Sequence, residues 1–173
     1  MRAAYADPPY LGLAEKFYGD PTYDTIEAHG KLIERLCNDY DAWALSLNEP
    51  NLRVILNMCP ENVRVAAWVK PFVSFKLNVT RAWAWEPVIF RFSNSRTKEQ
   101  GTWRDFLSEP ITLQRGFRGA KPHRFCCWIF EGLNLMPDDT FDDLFPGSGA
   151  VTLAYKKWLA RQIRPQQLSM EIL

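Results

Sequence analysis

Ala3-Ala4-Tyr5-Ala6 is a short apolar run that ends abruptly in Asp7-Pro8-Pro9-Tyr10. Two consecutive prolines remove two backbone donors, so a strand over 3–6 must stop there and turn outward. From Asp24 to Asp39, apolar or small residues at Ile26, Gly30, Ile33, Leu36 and Cys37 alternate with charges. That spacing predicts an amphipathic helix, with Asp24 or Thr25 as its N-cap. Ala42 to Leu47 is unbroken enough for a buried strand, and Leu52, Ile55, Leu56 and Cys59 recur at helical spacing over 51–58. Val63 to Val69 predicts another strand, stopped by Lys70-Pro71.

Further on, Trp85 to Phe92 predicts a strand and Ser93 to Gly101 a polar loop. After Lys121-Pro122, His123 to Leu133 predicts an aromatic helix. Asp138 to Phe145 carries a short strand into Gly147-Ser148-Gly149, and Ala150 to Ile163 predicts a helix. Strands alternating with helices at this spacing imply βαβ units, hence an α/β fold with a mainly parallel central sheet flanked by helices. The chain is expected to be one domain over 1–173, with residues 72–120 a small, irregular basic and aromatic insertion suited to target binding.

The composition is that of a folded globule rather than a disordered or low-complexity chain: 47% hydrophobic and 24% charged in 173 residues. No apolar run approaches the ~20 residues that cross a bilayer. The start, Met1-Arg2-Ala3-Ala4-Tyr5-Ala6-Asp7, lacks the apolar core of a secretory signal, so a soluble, cytoplasmic protein with no membrane partner is expected. Cys37, Cys59, Cys126 and Cys127 show no C-x-x-C spacing, and His29 and His123 lie far apart. A structural zinc site has little support, no metal is implied, and the cysteines are expected to be small buried hydrophobes in a reducing compartment. The net charge is only +1, but from Arg64 to Arg124 there are 12 Lys/Arg against 4 Asp/Glu. A basic middle between acidic flanks would suit a polyanion such as nucleic acid; a solvated face with scattered charges accounts for it as well.

Two turns carry candidate chemistry, each at the end of an apolar strand and so at the carboxyl edge of the sheet, where open α/β sheets bind ligands. In Asp7-Pro8-Pro9-Tyr10, a carboxylate and a proline carbonyl held by a second proline can accept hydrogen bonds from an exocyclic amino group. That would make the nitrogen a better nucleophile toward an electrophilic methyl, while the tyrosine ring stacks on a flat base. The same four residues could also be no more than a strand-terminating turn. In Asp143-Leu144-Phe145-Pro146-Gly147-Ser148-Gly149, glycines let the backbone approach a ligand at a helix N-terminus. Neither Lys-Ser/Thr nor a third glycine follows, so a P-loop or a dinucleotide fingerprint has no support.

Together these motifs resemble the S-adenosylmethionine-dependent amino-methyltransferases that act on adenine N6 or cytosine N4 in DNA. Asp7-Pro8-Pro9-Tyr10 matches the family's catalytic tetrapeptide (D/N/S)-P-P-(Y/F/W), in the aspartate form usual for adenine. Asp143-Leu144-Phe145-Pro146-Gly147-Ser148-Gly149 matches its cofactor motif, and Lys121-Pro122 matches a Lys-Pro that precedes a helix upstream of that motif. The order, catalytic motif before cofactor motif, is that of the permuted beta arrangement. Trp85-Glu86-Pro87-Val88-Ile89-Phe90 and Trp68-Val69-Lys70-Pro71 are similar to small methylases of actinobacteria and their phages, so the likeness runs from Tyr5 to about Trp158.

The resemblance implies a Rossmann-like methyltransferase fold and transfer of a methyl group from S-adenosylmethionine to adenine N6 in DNA, in a bacterial or phage-infected cell. Asp7 and the Pro8 carbonyl would hold the amino group, Pro9 would stiffen the turn and Tyr10 would stack on the base. Lys121, Pro122, Asp143, Phe145, Pro146, Gly147, Ser148 and Gly149 would form the cofactor site. Arg91, Arg96, Arg115 and Arg118, interleaved with aromatics, would bind nucleic acid. Cytosine-N4 methylation, RNA adenine methylation and a non-catalytic nucleic-acid-binding subunit are the alternatives, and a homodimer or partner subunit is compatible with each. Two features depart from the family. Its ribose-binding acid has only Glu171 as a counterpart, and little room exists for a separate target-recognition domain, so base choice would fall to residues 72–118 or to a second subunit.

Overall fold

The computed structural model describes residues 1–71, 80–93, 96–112 and 120–170, the side chains of 163–170 excepted. Its centre is a six-stranded sheet of β1 (Arg2–Ala6), β2 (Ala42–Ser46), β3 (Val63–Val69), β4 (Trp85–Arg91), β5 (Phe106–Ser108) and β6 (Thr140–Asp143), in the order β5-β3-β4-β2-β1-β6. β1 runs parallel to both β2 and β6, and β3 runs parallel to β5. β4 alone is reversed, antiparallel to β2 on one side and β3 on the other. Its first residues therefore arrive at the edge where the other strands end: Glu86 pairs with Trp68, and Arg91 lies opposite Trp43 and Val63 at the far edge.

Strand alternation sorts side chains to two cores. Ala3, Tyr5, Ala44, Ala66, Trp68, Val88 and Phe90 pack against α4 (His123–Gly132) and α5 (Ala150–Met170). Ala4, Ala6, Trp43, Leu45 and Ile89 pack against α2 (Ile26–Asp39) and α3 (Leu52–Leu56). Tyr5, Trp43, Phe90, Phe125 and Phe130 are fully buried, each large apolar side chain contributing about 1.5–3 kcal/mol. The sheet with helices on both faces is the expected α/β architecture.

Several local expectations change. Thr25 is the N-cap of α2, its hydroxyl accepting from the Ala28 N–H at 3.2 Å. Asp24 instead accepts from the Ala14 and Glu15 N–H groups at 2.7 and 2.8 Å, so it caps α1 (Ala14–Tyr18), a five-residue helix too short to show periodicity. On α2, Ile26 is 55% exposed and His29 is buried in its stead. The imidazole can enter the core because its Nε2 bonds the Tyr23 carbonyl at 3.0 Å and its ring meets the Tyr23 ring edge-on. Pro50 starts a 3₁₀ turn over Glu49–Asn51, which shortens α3, and α5 continues past Ile163 to Met170.

The segment 72–120 is not an irregular insertion throughout, since it supplies β4, in the middle of the sheet, and β5, on its edge. Phe90 lies in the core and Phe92 and Trp103 pack against it, whereas Trp83 and Phe106 are exposed. Trp103 stacks on Trp128 at 5.4 Å and meets Phe90 edge-on at 4.9 Å, and its indole N–H donates to the Trp128 carbonyl. A β-carbon on Gly132 would come within 2.7 Å of Phe90 and 2.9 Å of Trp103, so the ring cluster needs a glycine there. Cys126 is buried, its thiol pushed up to about 12 by desolvation, whereas Cys127 is only half-buried. Among the described residues no His/Cys/Asp/Glu cluster could hold a metal ion, and no helix is long and apolar enough to cross a membrane.

Candidate active site

Ala3 and Tyr5 face α4, and the alternation carries Asp7, one residue beyond the end of β1, to the same side. Lys121 arrives there from the segment that enters α4. Pro122 then caps that helix through its extended backbone and accepts from the Cys126 N–H at 3.1 Å. Lys121 Nζ lies 3.0 Å from Asp7 Oδ2, with the two side chains 7% and 23% exposed. The ammonium also sits 5.4 and 5.6 Å from the Trp68 and Phe125 ring centroids, where the negative ring faces help to hold a buried cation. Asp7 Oδ1 is buried and has no hydrogen-bond partner.

Burial raises the Asp7 carboxyl above its ordinary value, against the pull of Lys121. Burial would lower Lys121, but Asp7 and Glu86 outweigh it and hold the ammonium above the ordinary lysine value. Lys121 thus occupies one carboxyl oxygen of Asp7 and leaves the other as an acceptor. Beneath it, the Tyr5 and Ser46 hydroxyls share a buried hydrogen bond of 2.7 Å.

The second turn comes alongside because β6 pairs with β1, and the Leu144 N–H extends the ladder to the Tyr5 carbonyl at 2.9 Å. Gly147 and Gly149 have φ of +46° and +73°, a region that L side chains enter at a cost, which is why this turn requires glycine. Phe145 is fixed edge-on against Tyr23 at 5.1 Å. Asp143, just before the turn, accepts from the Thr152 hydroxyl at 2.8 Å through Oδ2, while its buried Oδ1 has no partner; burial raises its pKa.

Between the two turns lies a cavity of about 370 Å³, lined among others by Tyr5, Asp7, Lys121, Phe145, Gly147 and Ser148. That is within the range of pockets that enclose a small organic ligand. The turn's Pro146 and the first turn's Pro9 also line it, whereas Pro122, Asp143 and Gly149 are not among its lining residues. Pro8 and Tyr10 lie to one side. The Tyr10 hydroxyl donates to Glu86 Oε2 at 3.3 Å, and Glu86 forms an ion pair with Lys70 through its other oxygen.

The structure therefore brings the two turns to the same edge of the sheet. The basic part divides. Arg91 and Arg96 lie at or toward the opposite edge, Arg91 donating to the Cys37 carbonyl at 3.1 Å. Arg96 donates to the Gly101, Glu131 and Gln100 carbonyls, the Glu131 bond closing the C-terminal turn of α4. Arg115, Arg118 and Glu171 lie outside the described residues. Tyr5, Tyr18, Lys70 and Glu86 join the site without any signal in the sequence that assigns them to it. The last two sit in the blocks Trp68-Val69-Lys70-Pro71 and Trp85-Glu86-Pro87, and only the reversed direction of β4 brings them together.

No family model matches the chain, and no curated protein matches it in sequence. Solved structures do. The crystal structure of the M1.HpyAVI–SAM complex aligns with a TM-score of 0.61 at 18% identity, over 90% of this chain and 77% of that one. The crystal structure of M1.HpyAVI aligns with a TM-score of 0.57 at 20% identity, over 90% and 75%. The chain has the methyltransferase fold. In that fold the carboxyl edge, where Asp7 and Phe145 flank the cavity, is the ligand-binding edge of the sheet.

Proposed function

We propose that this chain transfers a methyl group from S-adenosylmethionine to the exocyclic N6 of adenine in DNA. The observation that carries the reading is Asp7: a carboxylate on a rigid turn, fixed through one oxygen by Lys121, with its other buried oxygen unpartnered beside the cavity. An unsatisfied buried acceptor costs about 1–3 kcal/mol, which an amino group donating to it would recover. The likeness in fold to M1.HpyAVI, whose structure is known in complex with SAM, supports S-adenosylmethionine as the cofactor in this reading.

Asp7 Oδ1 and the Pro8 carbonyl accept from the two amino hydrogens, which turns the nitrogen lone pair toward the incoming methyl. Pro9 keeps the turn from relaxing, and the Tyr10 ring stacks on the base. The nitrogen would gain the methyl group as that carbon's bond to the cofactor's sulfonium sulfur breaks, leaving a neutral thioether, and would then release one proton to solvent, so Asp7 need not act as a strong base. The residues that would hold the cofactor are Lys121, Phe145, Pro146, Gly147 and Ser148 along the cavity, with Pro122, Asp143 and Gly149 next to them in the chain. They fit such a group on two counts: glycines at positive φ leave the backbone of the turn bare, and the Asp143 carboxylate retains an unpartnered oxygen. When bound, S-adenosylmethionine supplies an electrophilic methyl. Arg115 and Arg118, rather than Arg91 and Arg96, remain the arginines assigned to DNA, because the latter spend their donors on backbone carbonyls.

The test is to offer unmethylated duplex DNA, single-stranded DNA and RNA with isotope-labelled S-adenosylmethionine, and to identify the products by mass spectrometry. N6-methyladenine from DNA is the expected product. N4-methylcytosine, or label in RNA alone, would replace the base assignment; cofactor binding without label in any polymer would favour a non-catalytic subunit.

A further inference from the structure

Beside the candidate site, the structure buries a second ion pair that the proposed reaction leaves without a role. Lys70 and Glu86 are joined through Nζ and Oε1 and are only 15% and 20% exposed. The pairing of β3 with β4 sets their places. Glu86 lies directly opposite Trp68, and Lys70 follows two residues after it, so alternation puts all three on the α4 side of the sheet, the side of Asp7 and Lys121. Lys70 Nζ lies 4.8 Å from the Trp68 ring centroid, on the ring that Lys121 also approaches. Burying two charges costs more than a surface pair returns, and apolar residues of similar volume would stabilise the sheet as well or better. What the pair does have is a third partner: Glu86 Oε2 accepts the Tyr10 hydroxyl at 3.3 Å.

Tyr10 follows two prolines and precedes the loop to α1, and it lines a small hollow together with Pro8, Leu45, Ser46 and Ile55. A stacking ring free to swing would present a base at variable angles. The hydroxyl bond removes that freedom, because an oxygen fixed at the far end of the ring leaves χ1 and χ2 little range. Lys70, in turn, holds Glu86 through one oxygen and so leaves the other to the Tyr10 hydroxyl.

We propose that Lys70 and Glu86 are positioning residues for the target base: the ion pair anchors the Tyr10 hydroxyl and so fixes the plane on which the base stacks while Asp7 and Pro8 hold its amino group. This rests on the methyltransferase reading and adds the residues that orient the substrate within it. Near-attack geometry is sensitive to such supports, and a misplacement of about 1 Å can cost up to about a hundredfold in rate.

The experiment is a double-mutant cycle on the full chain, with unmethylated genomic DNA as substrate and S-adenosylmethionine affinity measured separately by calorimetry. Glu86→Gln is nearly isosteric, and Tyr10→Phe keeps the ring while removing the hydroxyl. Each is expected to lower kcat by about tenfold to a hundredfold, with cofactor affinity unchanged. The double variant should be no slower than either single one, and Lys70→Met should slow the parent but not Tyr10→Phe. Losses that multiply in the double variant would overturn the proposal, since Glu86 would then act independently of Tyr10. So would a Glu86→Gln protein that melts early yet turns over normally when folded, the mark of a purely structural pair. A parent protein that methylates no polynucleotide would overturn the methyltransferase reading and this one together; an active parent with multiplying losses would overturn this one alone.

Discussion

The two edges of the sheet are built on opposite rules. At the amino edge, charge is satisfied: the Met1 ammonium pairs with Asp139 at 2.8 Å, and Arg2 pairs with Asp142 at 3.0 Å, which also accepts from the Tyr40 hydroxyl. Arg91 and Arg96 spend their donors on carbonyls that helix ends and loops leave open. At the carboxyl edge, charge is buried and incompletely matched. Of the four buried polar side-chain atoms without a partner among the described residues, three belong to Asp7, Asn48 and Asp143, just past or at the ends of β1, β2 and β6. Natural folds keep such atoms few, so their concentration along one edge supports the site proposed there. Basic residues are therefore poor guides to the site by themselves; unmatched acceptors are better ones.

The largest break in that contrast comes at Asp7. Asp7→Asn keeps the shape of the side chain but loses the charge that polarises an amino group. Methyl transfer should fall by at least about a hundredfold, as when one preorganised polar group is removed from an active site. Cofactor affinity, read by calorimetry, should change little. Asp7→Ala is the harsher variant, for it strands the Lys121 ammonium, 7% exposed, without its partner. A cost of about 3–5 kcal/mol in stability is expected from chemical denaturation. If Asp7→Asn turned over at the parent rate, the carboxyl edge would hold a structural turn only.

At Gly147 the effect should be smaller and confined to the cofactor. Its φ of +46° disfavours any β-branched side chain, while an added β-carbon would find its nearest neighbour, the Phe145 carbonyl oxygen, at a comfortable 3.9 Å. The penalty of Gly147→Val is thus backbone strain, about 1–2 kcal/mol, relieved by a flip of the turn away from the cavity. S-adenosylmethionine affinity should drop by about tenfold or more with the fold intact by circular dichroism. Gly132 offers the matching variant near the other edge. There the obstacle is packing, with Phe90 and Trp103 under 3 Å away, so Gly132→Ala should cost about 1–3 kcal/mol in stability and leave turnover by the folded protein unchanged.

How far the sequence anticipates these edges depends on what each residue obeys. Strands over 3–6, 42–46 and 63–69 are legible because continuous or alternating apolar runs leave few alternatives, and Pro8 and Pro71 mark where two of them stop. The two turns are legible as candidate chemistry because both stand at strand ends and together resemble the motifs of one family, in the order Asp-Pro-Pro-Tyr, Lys-Pro, Gly-Ser-Gly. The direction of β4 is not, since Trp85 to Arg91 looks the same in either orientation. With it goes the convergence of Lys70, Glu86 and Tyr10, which depends on pairing across the sheet. Arg96 is misleading for a related reason: a guanidinium that closes a helix end and one that binds phosphate look alike in sequence.

A pH profile sharpens the contrast at the site itself. Burial raises the Asp7 carboxyl above its ordinary 3.8, so the group holds its proton to a higher pH in the folded chain than in the unfolded one. The stability it contributes through that proton is complete below the ordinary value and is lost as pH rises through the raised one. Activity has the opposite sign, because only the carboxylate accepts through both oxygens. The acid limb of kcat should fall above the ordinary carboxylate range, and Lys121→Met, which removes the charge holding the value down, should move that limb further up. A limb that stays in place in Lys121→Met would mean that another group controls it.

The smallest effect expected is the absence of one, and it tests the arginines. If DNA approaches the carboxyl edge, Arg91→Ala should leave DNA affinity and its salt dependence at the parent level, while the missing hydrogen bond to the Cys37 carbonyl lowers stability by about 1 kcal/mol. Arg115→Ala with Arg118→Ala should behave the other way: weaker binding across all sequences, and a slope of log affinity against log salt shallower by about one for each phosphate left unneutralised. The reason for choosing this second pair is position in the chain, a few residues before Lys121, which enters the site on the way into α4. Filter binding from low to moderate salt separates the cases. Equal loss in both variants would mean that nucleic acid wraps from one edge to the other. Loss in Arg91→Ala alone would put the nucleic-acid surface at the amino edge, away from Asp7, and would favour a binding subunit over an enzyme that extrudes its own base.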